Sequence, residues 1–261
     1  MLACVLVHVV RVGKTVVLFC IIVVVSNNVV RLNFISLMVT RALLAEAAAS
    51  YGALTGIEVA IESVGGVDAA KRVAAGEAVD VVVLAADAID RLVAGGSVVA
   101  GSRTDLATSG VAIAVRTGAS RPLIHDADAL RDAVLAARSI GYSTGPSGTA
   151  LLALFERWGL AADLHARLMR APPGVPVGTL LARGEVDLGF QQRSELMNLE
   201  GIEVLGPMPT EVAIDTTFSA GICTASTQRE AVRALLDFMT SAPCAAAIHR
   251  HGMTPASGHK P

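Results

Sequence analysis

Four times between Ser36 and Thr149 a short apolar run breaks into a turn of small or hydroxyl-bearing residues, and a helical pattern follows at once. The turns are Ser36–Thr40, Ser63–Val67, Ala85–Asp87 and Ser143–Thr149. Repeated strand–turn–helix units build parallel strands covered by helices, because a parallel return needs a crossover that a helix supplies. The run Val81–Leu84 has no polar residue in it, as a strand buried on both faces requires. This predicts an α/β fold with mostly parallel strands.

Apolar runs and alternation predict strands over Leu32–Leu37, Ile57–Glu62, Val79–Leu84, Val111–Val115, Ser139–Tyr142, Val186–Phe190, Ile202–Leu205 and Phe218–Thr224. Helices are expected over Arg41–Tyr51 with Thr40 as its cap, and behind caps Asp68 and Asp87. Further helices should start at Asp126 or Asp128 and cover Gly148–Trp158, Gly178–Arg183, Gln228–Thr240 and Pro243–His251. Gly52 and Gly56 bracket the expected stop of the first helix.

The segment before Leu32 reads differently. Val16–Val25 is an unbroken apolar run behind Arg11 and Lys14. Ten residues are too short for a bilayer core, which takes about 20, but suit the apolar region of an export signal. The alternative is a start codon assigned too far upstream. Residues 1–31 are therefore expected to be a leader, and the location periplasmic, or cytoplasmic if that leader is not functional.

Charged residues form 17% of the chain and the net charge is −2, with lysine only at Lys14, Lys71 and Lys260. A nucleic-acid partner bound through a basic surface is thereby excluded. Hydrophobic residues reach 53% and mean hydropathy +0.59, which excludes general disorder. Cys4, Cys20, Cys223 and Cys244 have no zinc-ligand spacing, so no metal or other cofactor is expected. Cys223 and Cys244 read as two buried thiols in preference to a disulfide.

Chemistry concentrates at the turns. Helix N-termini carry unpaired N–H groups and partial positive charge, so several converging ones bind an anion without lysine. In open α/β sheets such turns lie at the carboxyl ends of strands, where ligands bind. Ser147 lacks the G-x-S-x-G context of a hydrolase elbow, and no histidine lies in any of the four turns. No catalytic residue is singled out.

The order of several motifs resembles the type II periplasmic solute-binding proteins, and specifically the molybdate-binding proteins of ABC importers. They are Thr55-Gly56-Ile57-Glu58-Val59, Ser63-Val64-Gly65-Gly66, Gly76-Glu77-Ala78-Val79-Asp80, Ala85-Ala86-Asp87, Ala182-Arg183-Gly184-Glu185-Val186-Asp187 and Gly252-Met253-Thr254-Pro255-Ala256. The resemblance implies two lobes closing over an anion, residues 32–110 plus 211–261 forming one and residues 111–210 the other. It implies a monomer that binds a small oxyanion or polycarboxylate and delivers it to an importer permease. Carried onto this sequence, the ligand contacts are Ser36, Met38, Thr40, Gly65, Gly66, Ala86, Ser143, Ser147, Gly148, Thr149, Val177, Gln191 and Gln192.

Three of the family's polar positions are altered. A hydroxyl position falls on Met38, the serine after the double glycine is Val67, and a tyrosine position falls on Gln192. These losses disfavour molybdate. Gln191 and Gln192 suit a larger planar carboxylate, to which Arg41, Arg116 or Arg193 could add bidentate contacts. This branch is also similar to aconitate isomerase, an enzyme on the same fold. Catalysis would need a proton-transfer group such as Ser143, Ser147 or a carboxylate near the cleft. Because the turns supply neutral donors, binding is expected in preference to isomerisation.

Overall fold

The computed structural model describes residues 3–12, 15–24, 30–172 and 174–256. Strands β1 (Ala3–Val12) and β2 (Thr15–Val24) pair antiparallel, from Ala3 opposite Val24 to Val12 opposite Thr15, and form a sheet of their own. The remainder of the expected leader before Val30 lies outside the described residues.

The main chain fold begins with β3 (Arg31–Leu37), α1 (Arg41–Thr55), β4 (Glu58–Val64), α2 (Gly66–Ala74), β5 (Val81–Ala85) and α3 (Ala86–Ala94). Strand β3 lies between β4 and β5, parallel to both. Strand β6 (Thr104–Arg116) then runs 13 residues. Behind it come α4 (Ala127–Ala136), β7 (Ile140–Tyr142), α5 (Pro146–Arg157), α6 (Ala161–Leu164), β8 (Leu168–Arg170), α7 (Val177–Ala182), β9 (Leu188–Gln192), α8 (Arg193–Leu196) and β10 (Ile202–Pro207). The chain returns along β11 (Asp215–Ile222), followed by α9 (Arg229–Met239), α10 (Ala242–Arg250) and β12 (Thr254–Pro255).

One ten-stranded sheet runs β4-β3-β5-β11-β6-β9-β7-β8, with β10 and β12 also paired to β6. Thr104–Gly110 of β6 pairs with β11, whereas Val111–Arg116 pairs with β9 and β10. Strand β6 thus passes from one lobe into the other.

Side-chain alternation makes four packed layers from this sheet. In β3 and β5, Leu32, Phe34, Val81 and Val83 face α1 and α9, while Ile35, Val82 and Leu84 face α2 and α3. In the second half of β6, Val111, Ile113 and Val115 face Leu130, Leu151, Leu154 and Phe155 of α4 and α5. Ala112 and Ala114 face Val177, Leu180 and Leu181 of α7. The small alanines on that face let α7 approach closely. Cys223 and Cys244 are buried free thiols, and burial, with the Asp80 carboxylate adding, pushes Cys223 up to about 12. Among the described residues no single helix is long and apolar enough to cross a membrane.

Several boundaries differ from the sequence-based expectation for identifiable reasons. Helix α1 continues through Gly52 and stops at Gly56, whose φ of 74° is the left-handed cap conformation that glycine adopts without penalty. The Thr40 hydroxyl donates to the Leu37 carbonyl, so it does not cap α1. Asp68 and Asp87 sit inside the first turns of α2 and α3, whose N-caps are Gly65 and Ala85. Asp126 does cap α4, its Oδ1 accepting from the Ala129 amide at 2.8 Å. Strands β6 and β11 both begin earlier than apolar patterning indicates, because their ends at Thr104 and Asp215 are polar.

Candidate functional site

Helices α1, α2, α3 and α5 all start where a strand leaves its sheet. Their N-cap residues Thr40, Gly65, Ala85 and Gly145 make no side-chain cap hydrogen bond. Helices α9 and α10 are likewise uncapped, so the missing cap bond alone does not mark a site. A cleft of about 290 Å³ lies where the two lobes meet. Ala85–Asp87 of α3 and its preceding strand form one wall, Pro146 and Ala150 of α5 the opposite wall, and Ile214–Thr217 the floor. The N-termini of α3 and α5 therefore border one space, and their partial positive charge favours an anion there.

On the first lobe, Ser36 and Ser63 stand in register across β3 and β4, with their hydroxyl oxygens 2.9 Å apart. Ser36 is fully buried. Met38 and Val67, at the starts of the next helical segments, are 41% and 71% exposed. The mouths of these two turns present hydrocarbon to solvent. Thr40 is buried, and Gly65 and Gly66 leave the start of α2 without side chains over it.

On the second lobe, the Ser143 and Ser147 hydroxyls are 3.0 Å apart across the tight turn before α5. A Cβ at Gly148 would fall 1.9 Å from the Ser143 carbonyl oxygen, so only glycine allows this turn to close. Ser147 is buried and Thr149 exposed, its amide donating to the Gly145 carbonyl at 3.2 Å.

The two glutamines have different partners. Gln191 Oε1 accepts from the Val177 amide at 2.7 Å, so it closes the start of α7 and occupies that N–H. The same side chain hydrogen-bonds Glu195, a carboxyl whose pKa burial raises and that hydrogen bond opposes. Gln192 Nε2 donates to Thr216 Oγ1 at 3.0 Å, while its buried Oε1 has no partner. Gln192 is 3% exposed, and an unfilled buried acceptor is costly unless something arrives to fill it.

Of the expected contacts, Ala86 lines the cleft directly, and Gln192 reaches its floor through Thr216. The Ser143–Ser147 turn leads into Pro146 and Ala150 of the far wall. Met38, Val67 and the Ser36–Ser63 pair belong to neighbouring turns. Sequence reading missed Asp215, Thr216 and Thr217, since a strand start with two threonines carries no local signature. It also read Asp87 only as a cap, whereas it lines the cleft and pairs with Arg91 at 2.7 Å. Among the described residues no cluster of histidine, cysteine, aspartate or glutamate is arranged to hold a metal ion.

The family described as bacterial extracellular solute-binding protein matches residues 32–254. A Pseudomonas protein named aconitate isomerase is 39% identical over 216 residues, 80% of this chain and 82% of that protein. The periplasmic molybdate-binding protein of Azotobacter vinelandii superposes with a TM-score of 0.70 at 20% identity, over 85% of this chain and 98% of that one. The sulfate-binding protein SubI from Mycobacterium tuberculosis H37Rv gives 0.71 at 17% identity, over 88% of each. At such identities these two likenesses concern the two-lobed fold alone.

Proposed function

The chain belongs to the family of bacterial extracellular solute-binding proteins, and from that premise we propose that its cleft takes an aconitate-type tricarboxylate and isomerises it. The similarity to aconitate isomerase over about four fifths of both chains carries this reading. The geometry is consistent with it. Apolar side chains at Ala85, Ala86, Pro146, Ala150 and Ile214 suit an extended carbon skeleton better than a compact tetrahedral oxyanion. The N-termini of α3 and α5 supply positive potential for carboxylates.

The reaction is a proton shift across an allylic unit. A methylene proton leaves, the electron pair spreads over the three-carbon unit, and a proton returns at its other end. The double bond moves to the former methylene carbon. Its geometry is then set by how the cleft holds the carboxylate on that carbon.

Purified protein incubated with trans-aconitate in deuterated water tests this by proton NMR. The expected result is cis-aconitate forming at a rate proportional to protein concentration, with deuterium incorporated.

A second reading is supported by the family itself: a periplasmic monomer, exported by its N-terminal segment, that binds the same anion and passes it to an importer permease. In that reading residues 32–110 plus 211–261 and residues 111–210 move as two lobes. Calorimetric binding of trans-aconitate without turnover selects it. Binding of molybdate or sulfate, with no binding of tricarboxylates, overturns both.

A further inference from the structure

An isomerase of this kind needs one group able to take a carbon-bound proton and give it back, and the cleft narrows the choice. Its titratable lining groups are Asp87 and Asp215. Asp87 is engaged by the Arg91 guanidinium at 2.7 Å. Among the described residues Asp215 has neither an ion pair nor a side-chain hydrogen bond. Glu195 is held by Gln191 and does not line the cleft. The Ser143 and Ser147 hydroxyls bond each other, with no carboxylate or imidazole among their partners to activate them.

Asp215 is placed by the backbone. It opens β11 opposite Gly110, at the point where β6 passes between the lobes. A Cβ at Gly110 would fall 2.8 Å from Asp215 Oδ1, so the carboxylate lies over a position kept clear by the missing side chain. That puts it on the cleft floor, between the start of α3 on one wall and Pro146 and Ala150 on the other.

Resting on the tricarboxylate reading, we infer that Asp215 is the base that carries the proton between the two ends of the allylic unit. The carboxylate oxygen accepts the methylene proton as the C–H bond breaks, and the pair enters the adjoining π system. The same proton, or one exchanged from solvent, is delivered to the distal carbon, and Asp215 returns to its starting state. No oxidant or further reactant is needed. Negative charge developing on the carbon skeleton is met by the N-termini of α3 and α5, helices of nine and twelve residues.

The test is Asp215→Asn in the full chain, with trans-aconitate binding read by calorimetry and turnover by proton NMR in deuterated water. Binding should persist, while isomerisation and deuterium uptake fall by at least about a hundredfold. Gly110→Ala is the independent variant. It leaves the carboxylate in the chain but displaces it, and should lower the rate with unfolding temperature nearly kept. Turnover by Asp215→Asn at the wild-type rate overturns the assignment while leaving the isomerase reading intact. A wild-type protein that binds trans-aconitate and never exchanges its protons overturns both.

Discussion

Gln192 Nε2 donates to Thr216 Oγ1 at 3.0 Å, a bond from the last residue of β9 to the strand that floors the cleft. The amide is thereby fixed in place with its other polar atom unfilled. Replacing Gln192 by Leu removes an acceptor that the ligand-free protein does not satisfy. Its thermal stability should change by no more than about 1 kcal/mol, whereas ligand affinity should fall by about 0.5–1.5 kcal/mol, because Thr216 on the cleft floor loses the amide donor that holds it. Thermal melts and calorimetry with trans-aconitate read the two quantities separately. A large loss of stability with unchanged affinity would assign Gln192 to packing alone.

The Ser143–Ser147 pair makes a related but different prediction. Each hydroxyl has the other as its partner, and an arriving anion can accept a hydrogen bond from one while the second steadies it. Ser147→Ala should weaken binding by about 1–3 kcal/mol, with little change in the ligand-free melting temperature. Ser143→Ala should behave similarly. Because the groups are in contact, the double variant should cost less than the sum of the singles. Strict additivity would show that the two hydroxyls act independently.

How far the site could be read in advance depends on what each residue's role requires. The strand Val81–Ala85 was legible because complete burial leaves a continuous apolar run. The turn at Gly148 was legible as a glycine- and serine-rich junction, although the reason for the glycine, a carbonyl 1.9 Å from its absent Cβ, is tertiary. Only the second half of β6 could be found, since Thr104–Gly110 is a mixed polar stretch whose strand state depends on pairing with β11, more than a hundred residues later. Gln191 and Gln192 are adjacent and chemically identical. What separates them is Val177 on one side and Thr216 on the other, contacts no local pattern encodes. Asp215 is the extreme case: a polar strand start that matters through Gly110 and the walls opposite.

Titration gives a third prediction. Burial raises the Glu195 pKa above the ordinary 4.5, and the Gln191 hydrogen bond only partly offsets this. The folded state thus holds that proton more tightly than the unfolded chain does. Its contribution to stability is fullest below the ordinary value and is lost as pH rises toward the folded-state pKa. Glu46, hydrogen-bonded by Arg250 and His251, and Asp187, hydrogen-bonded by Arg138, are lowered and act oppositely. Their contribution is present above the ordinary carboxylate range and lost as pH falls through their folded values. Glu195→Gln should therefore flatten the decline on the rising side and leave acid unfolding as it is. Urea midpoints from about pH 3 to 8 measure both limbs, bracketing the carboxylate range. An unchanged slope above the ordinary glutamate value would show that Glu195 is effectively solvated.

The last prediction concerns which anion the cleft accepts. Met38 and Val67 begin helical segments beside the Ser36–Ser63 pair, and both expose hydrocarbon to solvent. A tetrahedral oxyanion offers four oxygens and no carbon, so every wall that meets it should donate hydrogen bonds. A tricarboxylate has an intervening carbon skeleton that gains from apolar contact at roughly 25 cal/mol per Å². The double variant Met38→Ser with Val67→Ser adds two donors and removes that contact. It should weaken trans-aconitate binding by about 1–3 kcal/mol, as loss of apolar contact between the ligand skeleton and these two exposed side chains implies, and create measurable affinity for molybdate. Neither side chain is buried in a core, so folding should be kept, and a thermal melt checks it. Calorimetry with both anions on both proteins completes the comparison. If trans-aconitate binds the double variant as tightly as the wild type, the hydrocarbon at these turns lies outside the ligand's reach, and selectivity must reside in the walls and floor of the cleft.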